Sequence, residues 1–103
     1  MSDMLLKIVF QDYERRKLVI ANQNCPSVMR VAYMYMNEVI DEELEIAYMR
    51  TPLYIPEFKK EMFNDIAQDK GYNESALKSS MSVGTYRKYK KRIKEAVIKR
   101  LAL

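Results

Sequence analysis

The last 21 residues hold the densest group of ionisable side chains in the chain. Eight of them are basic, namely Arg87, Lys88, Lys90, Lys91, Arg92, Lys94, Lys99 and Arg100, and Glu95 is the one acid. Lysine and arginine at this density neutralise phosphates, and each contact releases a counterion, so the affinity depends on salt. The cluster is therefore typical of a surface that binds nucleic acid.

The same segment has the spacing of an amphipathic helix. At 100° per residue one side carries Tyr86, Tyr89, Ile93, Ala96, Val97 and Leu101, and the other carries Arg87, Lys88, Lys91, Lys94 and Lys99. Ser82 is a suitable N-cap. The sequence therefore predicts a final helix from Ser82 toward Leu101, with one face packed and the other cationic.

The residues before this helix match a helix-turn-helix, with a small Ala76, a tight turn near Ser80 and an apolar Met81. In that motif the second helix enters the major groove and its first turns face base edges. Arginine and lysine can bind guanine, and threonine can contact the thymine methyl group. The predicted DNA-binding residues are therefore Ser82, Val83, Gly84, Thr85, Arg87, Lys88, Lys90, Lys91 and Lys94.

A second register of the motif lies one helix earlier, with Ala67 and Gly71 in the first helix and turn. Its alanine-to-glycine spacing is better, but polar residues replace two expected apolar ones. Its recognition helix, residues 74–80, would carry Lys78 as its only base. The charge favours the later register.

Residues 42–48, 65–67 and 81–91 carry a resemblance that extends over residues 37–101. This stretch resembles the sigma-factor region-four type of helix-turn-helix, in particular the ArpU family of phage late-transcription regulators. The resemblance implies a promoter or operator DNA target and a contact with RNA polymerase. Sigma-like motifs run from the glycine directly into the serine cap, whereas ten residues separate Gly71 from Ser82 here. Either an inserted short helix or a different register would account for that interval.

Upstream helices must position the motif. Apolar residues at three-to-four spacing predict a helix that starts with Ser27 as its N-cap and ends before Pro52. It either continues through the acidic residues 41–45 or restarts there. Proline at a first turn and Gly71 past the end predict a helix from Pro56 to Lys70, and a short helix follows Asn73.

Residues 4–21 admit two structures. Two β-rich runs flank a polar centre, as in a β-hairpin that could pack beside the motif as a wing, but the centre lacks turn glycines. A helix would instead put Asp12 and Arg16 on its apolar face. The predicted fold class is therefore mainly α, a small helix-turn-helix domain, with an amino-terminal hairpin wing as an open alternative.

Composition predicts one folded domain over residues 1–103, because 49% of residues are hydrophobic and only two are glycine. The lone Cys25, the lack of a signal-peptide pattern and apolar runs far below the roughly 20 residues of a membrane span indicate a cytoplasmic protein with no membrane contact.

Catalysis is not predicted. The chain has no histidine, Cys25 has no basic neighbour in sequence, and no glycine-rich phosphate loop is present. The acidic group Asp41, Glu42, Glu43 and Glu45 lacks a second ligand type, so neither a metal nor another cofactor is expected.

The middle helix carries more methionines and tyrosines than one face can bury in so small a monomer, namely Met29, Tyr33, Met34, Tyr35, Met36, Tyr48 and Met49. Core filling would explain most of them. A surface for a second copy or for a host protein would explain the rest. A homodimer would suit the two-fold half-sites of many operators.

The sequence therefore predicts sequence-specific binding of double-stranded DNA by a transcription regulator of a phage or another mobile element. One alternative is an accessory factor that binds a plasmid origin, in a relaxosome or in replication. Another is a protein-interaction module or inhibitor that acts on a host protein.

Overall fold

The computed structural model describes residues 2–68 and 72–103, and within these ranges the chain is helical with no β-strand. The helices are α1 (Ser2–Gln11), α2 (Tyr13–Ala21), α3 (Ser27–Arg50), α4 (Glu57–Gln68), α5 (Tyr72–Lys78) and α6 (Val83–Leu101). The mainly α prediction is confirmed. The predicted end of the fourth helix, at Lys70 and Gly71, lies outside the described residues.

The hairpin alternative for residues 4–21 is wrong, because this segment forms two helices that meet at Asp12. Leu6, Val9 and Phe10 share one face of α1 and are buried. The Phe10 ring packs on Phe63 of α4, with centroids 5.4 Å apart. The break at Asp12 lets α1 bury its apolar face while α2 turns toward α3.

Arg16 is buried where α1, α2 and α3 meet. Its Nη2 donates to the Val9 carbonyl at 2.5 Å, one of the last carbonyls of α1, which have no partner within their own helix. Its Nε donates to Asn37 Oδ1 of α3 at 2.7 Å. Burial lowers the pKa of the guanidinium. A charged residue on an apolar face, which counted against a helix here, is therefore a polar joint between three helices.

The helix predicted from Ser27 is confirmed, and it runs without a break to Arg50, before Pro52. Its N-cap is Pro26 and not Ser27, and no side chain caps the first turn. Glu42 and Glu43 lie inside α3 and bind Arg100 of α6, and Glu45 binds Lys59 of α4 at 2.7 Å. The acidic group therefore joins α3 to two other helices.

The core lies between α1, α3, α4 and α6, and α5 bridges α4 and α6. Phe58 of α4 is fully buried and contacts the rings of Tyr86 and Tyr89 edge-on. The Tyr89 hydroxyl donates to the Arg50 carbonyl at 2.9 Å, which satisfies a free acceptor at the end of α3. The final helix is thus held by the core along its apolar face.

No helix in the described part of the chain combines the length and the apolar character that a bilayer crossing requires. Across residues 2–68 and 72–103, no three Cys, Asp or Glu side chains come together in a way that would hold a metal ion.

Candidate functional site

A four-residue turn, residues 79–82, joins α5 to α6. Ser80 adopts a left-handed conformation with φ 54°. Its N–H donates to the Leu77 carbonyl at 3.0 Å, and the Met81 N–H donates to the Ala76 carbonyl at 2.9 Å. This pair of bonds is a Schellman motif, which ends α5 sharply and fixes the direction of the chain. The tight turn predicted near Ser80 is confirmed.

Ser82 begins the last helix as predicted. Its Oγ accepts a hydrogen bond from the Thr85 N–H at 3.2 Å, and its hydroxyl donates to Thr85 Oγ1 at 2.9 Å. The first bond satisfies one of the donors that a helix start leaves free. The cap uses the Ser82 O–H proton, so Ser82 can offer a ligand only an acceptor, whereas the Thr85 hydroxyl accepts in the cap and can still donate.

The predicted division of α6 into two faces is present. Tyr86, Ile93 and Val97 are buried, and Tyr89 is half-buried. The opposite side is exposed over the first three turns, where it presents Val83, Gly84, Thr85, Arg87, Lys88, Lys91 and Arg92. We call Arg87, Lys88, Lys91 and Arg92 the cationic face.

Lys90 is not part of the cationic face. Its Nζ lies 2.9 Å from Oδ1 of Asp65, a fully buried carboxylate of α4 whose other oxygen accepts from the Tyr86 hydroxyl at 3.0 Å. Burial and the Asp65 charge raise the pKa of the Tyr86 phenol. Asp65 therefore fixes α6 on α4 through two side chains one turn apart.

Lys94 and Arg100 also bind acids of the same chain. Lys94 Nζ lies 3.4 Å from Asp3 Oδ1 of α1, and Arg100 lies 2.9 Å from Glu43 and 3.2 Å from Glu42 of α3. The structure thus brings seven of the nine predicted residues to one surface and directs Lys90 and Lys94 toward neighbouring helices. The prediction omitted Arg92, although its place on the wheel beside Lys88 was visible in the sequence.

The ten residues between Gly71 and Ser82 include α5, a short helix between α4 and α6. The short helix predicted after Asn73 is therefore present, and it begins one residue earlier, at Tyr72. Lys78, the one base of the earlier register, pairs with Glu74 at 3.1 Å and with Glu61 at 3.8 Å. The earlier register therefore offers no comparable cationic face.

Gly84, in the first turn of α6, would tolerate a side chain. No atom lies within 4 Å of a Cβ built there, and its φ is not positive. Gly84→Ala is therefore expected to raise the free energy of unfolding by about 0.5–1 kcal/mol, because glycine costs a helix that much relative to alanine. Urea denaturation followed by circular dichroism measures this change. A loss of stability would contradict the open space at this position.

No protein-family model, curated protein or solved structure matches this chain.

Proposed function

We propose that this protein binds double-stranded DNA in a sequence-specific way, with α5, the turn and α6 acting as a helix-turn-helix. The observation that carries the proposal is the exposed amino-terminal part of α6, where the cationic face follows a capped turn and the opposite face is buried. In such motifs the second helix lies in the major groove and its first turns contact base edges.

The chemistry of the exposed residues fits two kinds of contact. Arg87 and Lys88 lie in the first two turns, where an arginine or lysine can donate to guanine O6 and N7. Lys91 and Arg92 lie one turn later, where they would neutralise phosphates beside the groove. Val83 and Thr85 supply methyl groups of the kind that pack on thymine.

The positive charge is concentrated where the proposal needs it. Lys90, Lys94 and Arg100 bind Asp65, Asp3 and the α3 carboxylates, so their charges are balanced within the protein. The cationic face has no acidic residue in the first three turns of α6. Lys88, Lys91 and Arg92 pair with no acid among the described residues, so their field toward a phosphate backbone is less compensated than that of Lys90, Lys94 and Arg100.

The role we propose for such binding is regulation of transcription on a phage or another mobile element. The support for this role is the resemblance of residues 37–101 to the sigma region-four type. Binding at a plasmid origin would use the same surface and the same contacts.

The test is selection of a preferred duplex from a random pool, followed by salt-titrated fluorescence anisotropy on that duplex and on an unrelated one. We expect Arg87→Ala/Lys88→Ala to lose the preference, since each base contact is worth about 1–3 kcal/mol. Lys99→Ala, on the exposed side of the last turns, is the matched control. It should weaken both duplexes alike and keep the preference.

Two results would contradict the proposal. One is the absence of binding to any duplex at low salt. The other is an equal and small effect of the double variant and of the Lys99 variant. Because all three side chains are exposed, we expect the helices of each variant to be intact, and circular dichroism checks this.

A further inference from the structure

The amino-terminal half of α3 has an apolar face that the described structure leaves largely uncovered. Between Val28 and Met36 the only charged residue is Arg30, whose Nη2 donates to the Asn22 carbonyl at 2.9 Å. The side with Arg30, Tyr33 and Asn37 faces α2. The opposite side carries Val28, Val31 and Tyr35, which follow the three-to-four spacing of one helix face.

These apolar side chains are largely exposed and share one helix face, unlike apolar residues that are scattered singly over a surface. Val28 is 84% exposed and Val31 67%, and Tyr35 and Met34 expose about half of their surfaces. Met36 packs against the core, but Met29, Met34 and Met49 are exposed, so core filling does not account for most of the methionines of α3. A run of large apolar side chains on one helix face is typical of an interaction surface.

Charge identifies what can cover this face. Beyond Tyr35 the face continues to Glu38, which is exposed and pairs with no described residue. At the other end, the first turn of α3 has no acidic residue and no side-chain cap, so its N–H groups carry the uncompensated positive end of the helix dipole. The face is therefore neutral in the middle, negative at one end and positive at the other.

A helix face with that pattern is complementary to itself when it is reversed. We propose that two copies of this chain pair through α3 in an antiparallel arrangement with two-fold symmetry, centred between Val31 and Ala32. Val28 of each copy then packs against the Tyr35 position of the other, and each Glu38 lies beside the other amino terminus. A two-fold contact of this kind uses one patch on both partners.

The pairing leaves the proposed DNA surface open. The Tyr35 hydroxyl donates to the Arg100 carbonyl at 3.3 Å, so the α3 face adjoins the carboxyl end of α6. The turns with Arg87 and Lys88 lie about 18 Å away along the helix, at 1.5 Å per residue. The inference does not rest on DNA binding, and its failure would leave that proposal untouched.

Analytical ultracentrifugation over a range of protein concentrations measures the oligomeric state and tests the proposal. The wild type is expected to form a dimer and Val31→Lys to remain a monomer at every concentration. Leu18→Lys, at a position on α2 that is 75% exposed, is the matched control and should dimerise like the wild type. A monomeric wild type would overturn the proposal, as would a dimeric Val31→Lys variant or a monomeric Leu18→Lys variant.

The lone cysteine reports the direction of pairing. Cys25 is partly exposed, and it lies at the start of α3, so one spin label per chain marks the end of the helix. In the antiparallel dimer the two label positions are offset by 13 residues along the helix axis, because they lie on opposite sides of the two-fold centre. At a rise of 1.5 Å per residue this offset is about 20 Å. In a parallel dimer the separation along the axis is close to zero. A pulsed electron paramagnetic resonance distance that matches the parallel arrangement would overturn the proposed geometry.

Discussion

Asp65→Ala is expected to lower the free energy of unfolding by about 3 kcal/mol, the lower end of the range for one partner lost from a buried ion pair. The Asp65 carboxylate is fully buried and holds both the Tyr86 hydroxyl and the Lys90 ammonium. Its removal takes away the acceptor of a buried phenol and the buried counter-ion that faces Lys90. The Lys90 side chain is 14% exposed and can reach water, which sets the loss at the lower end. Urea denaturation measures it.

Asp65→Leu/Lys90→Met is the matched control. Replacing both partners with apolar side chains removes the charges without stranding either one, so the double variant should lie closer to the wild type than Asp65→Ala. The loss that remains reports the Tyr86 phenol, which loses its Asp65 acceptor in both variants. If Asp65→Ala cost less than about 1 kcal/mol, the carboxylate would not be what holds α6 on α4.

Arg16→Met is expected to have the second large effect, about 2–6 kcal/mol of lost stability, since it strands two acceptors at about 1–3 kcal/mol each. Methionine keeps much of the side-chain volume, so the loss reports hydrogen bonds and not a cavity. The acceptors are the Val9 carbonyl and Asn37 Oδ1, both deep in the joint between α1, α2 and α3. The direction of the change depends on those bonds outweighing the cost of burying the guanidinium.

A double-mutant cycle with Asn37→Leu isolates that contribution. Asn37 contacts Arg16 directly, so the two substitutions should be non-additive by about 0.5–3 kcal/mol. Additive effects would mean that the 2.7 Å contact does not contribute to stability. An unchanged or more stable Arg16→Met variant would mean that burial of the charge costs more than its bonds return.

Local signals in the sequence predicted the carboxyl-terminal part of the fold well. Ser82 caps α6, Ser80 turns the chain, and Tyr86 is buried, because capping, turn formation and amphipathic spacing are decided by residues within one or two turns. The same signals gave the start of α3 to within one residue.

The structure differs from these expectations where a charged side chain meets a partner far away in sequence. Arg16 counted against a helix because its partner, Asn37, lies 21 residues away and cannot be found from helical periodicity. Lys90 was counted with the DNA-binding residues because its acid, Asp65, lies 25 residues upstream. Charge counts predict how much positive charge a helix carries, but tertiary contacts decide how much of it faces outward.

The burial of Tyr86, Ile93 and Val97 has a thermodynamic consequence for the proposed function. A helix whose inner face is part of the core is already folded before a ligand arrives, so binding does not have to order it. The association would then lack the large negative heat-capacity change and the entropic penalty of segments that fold on their target. Its affinity would be governed by dehydration and ion release at the groove, not by coupled folding.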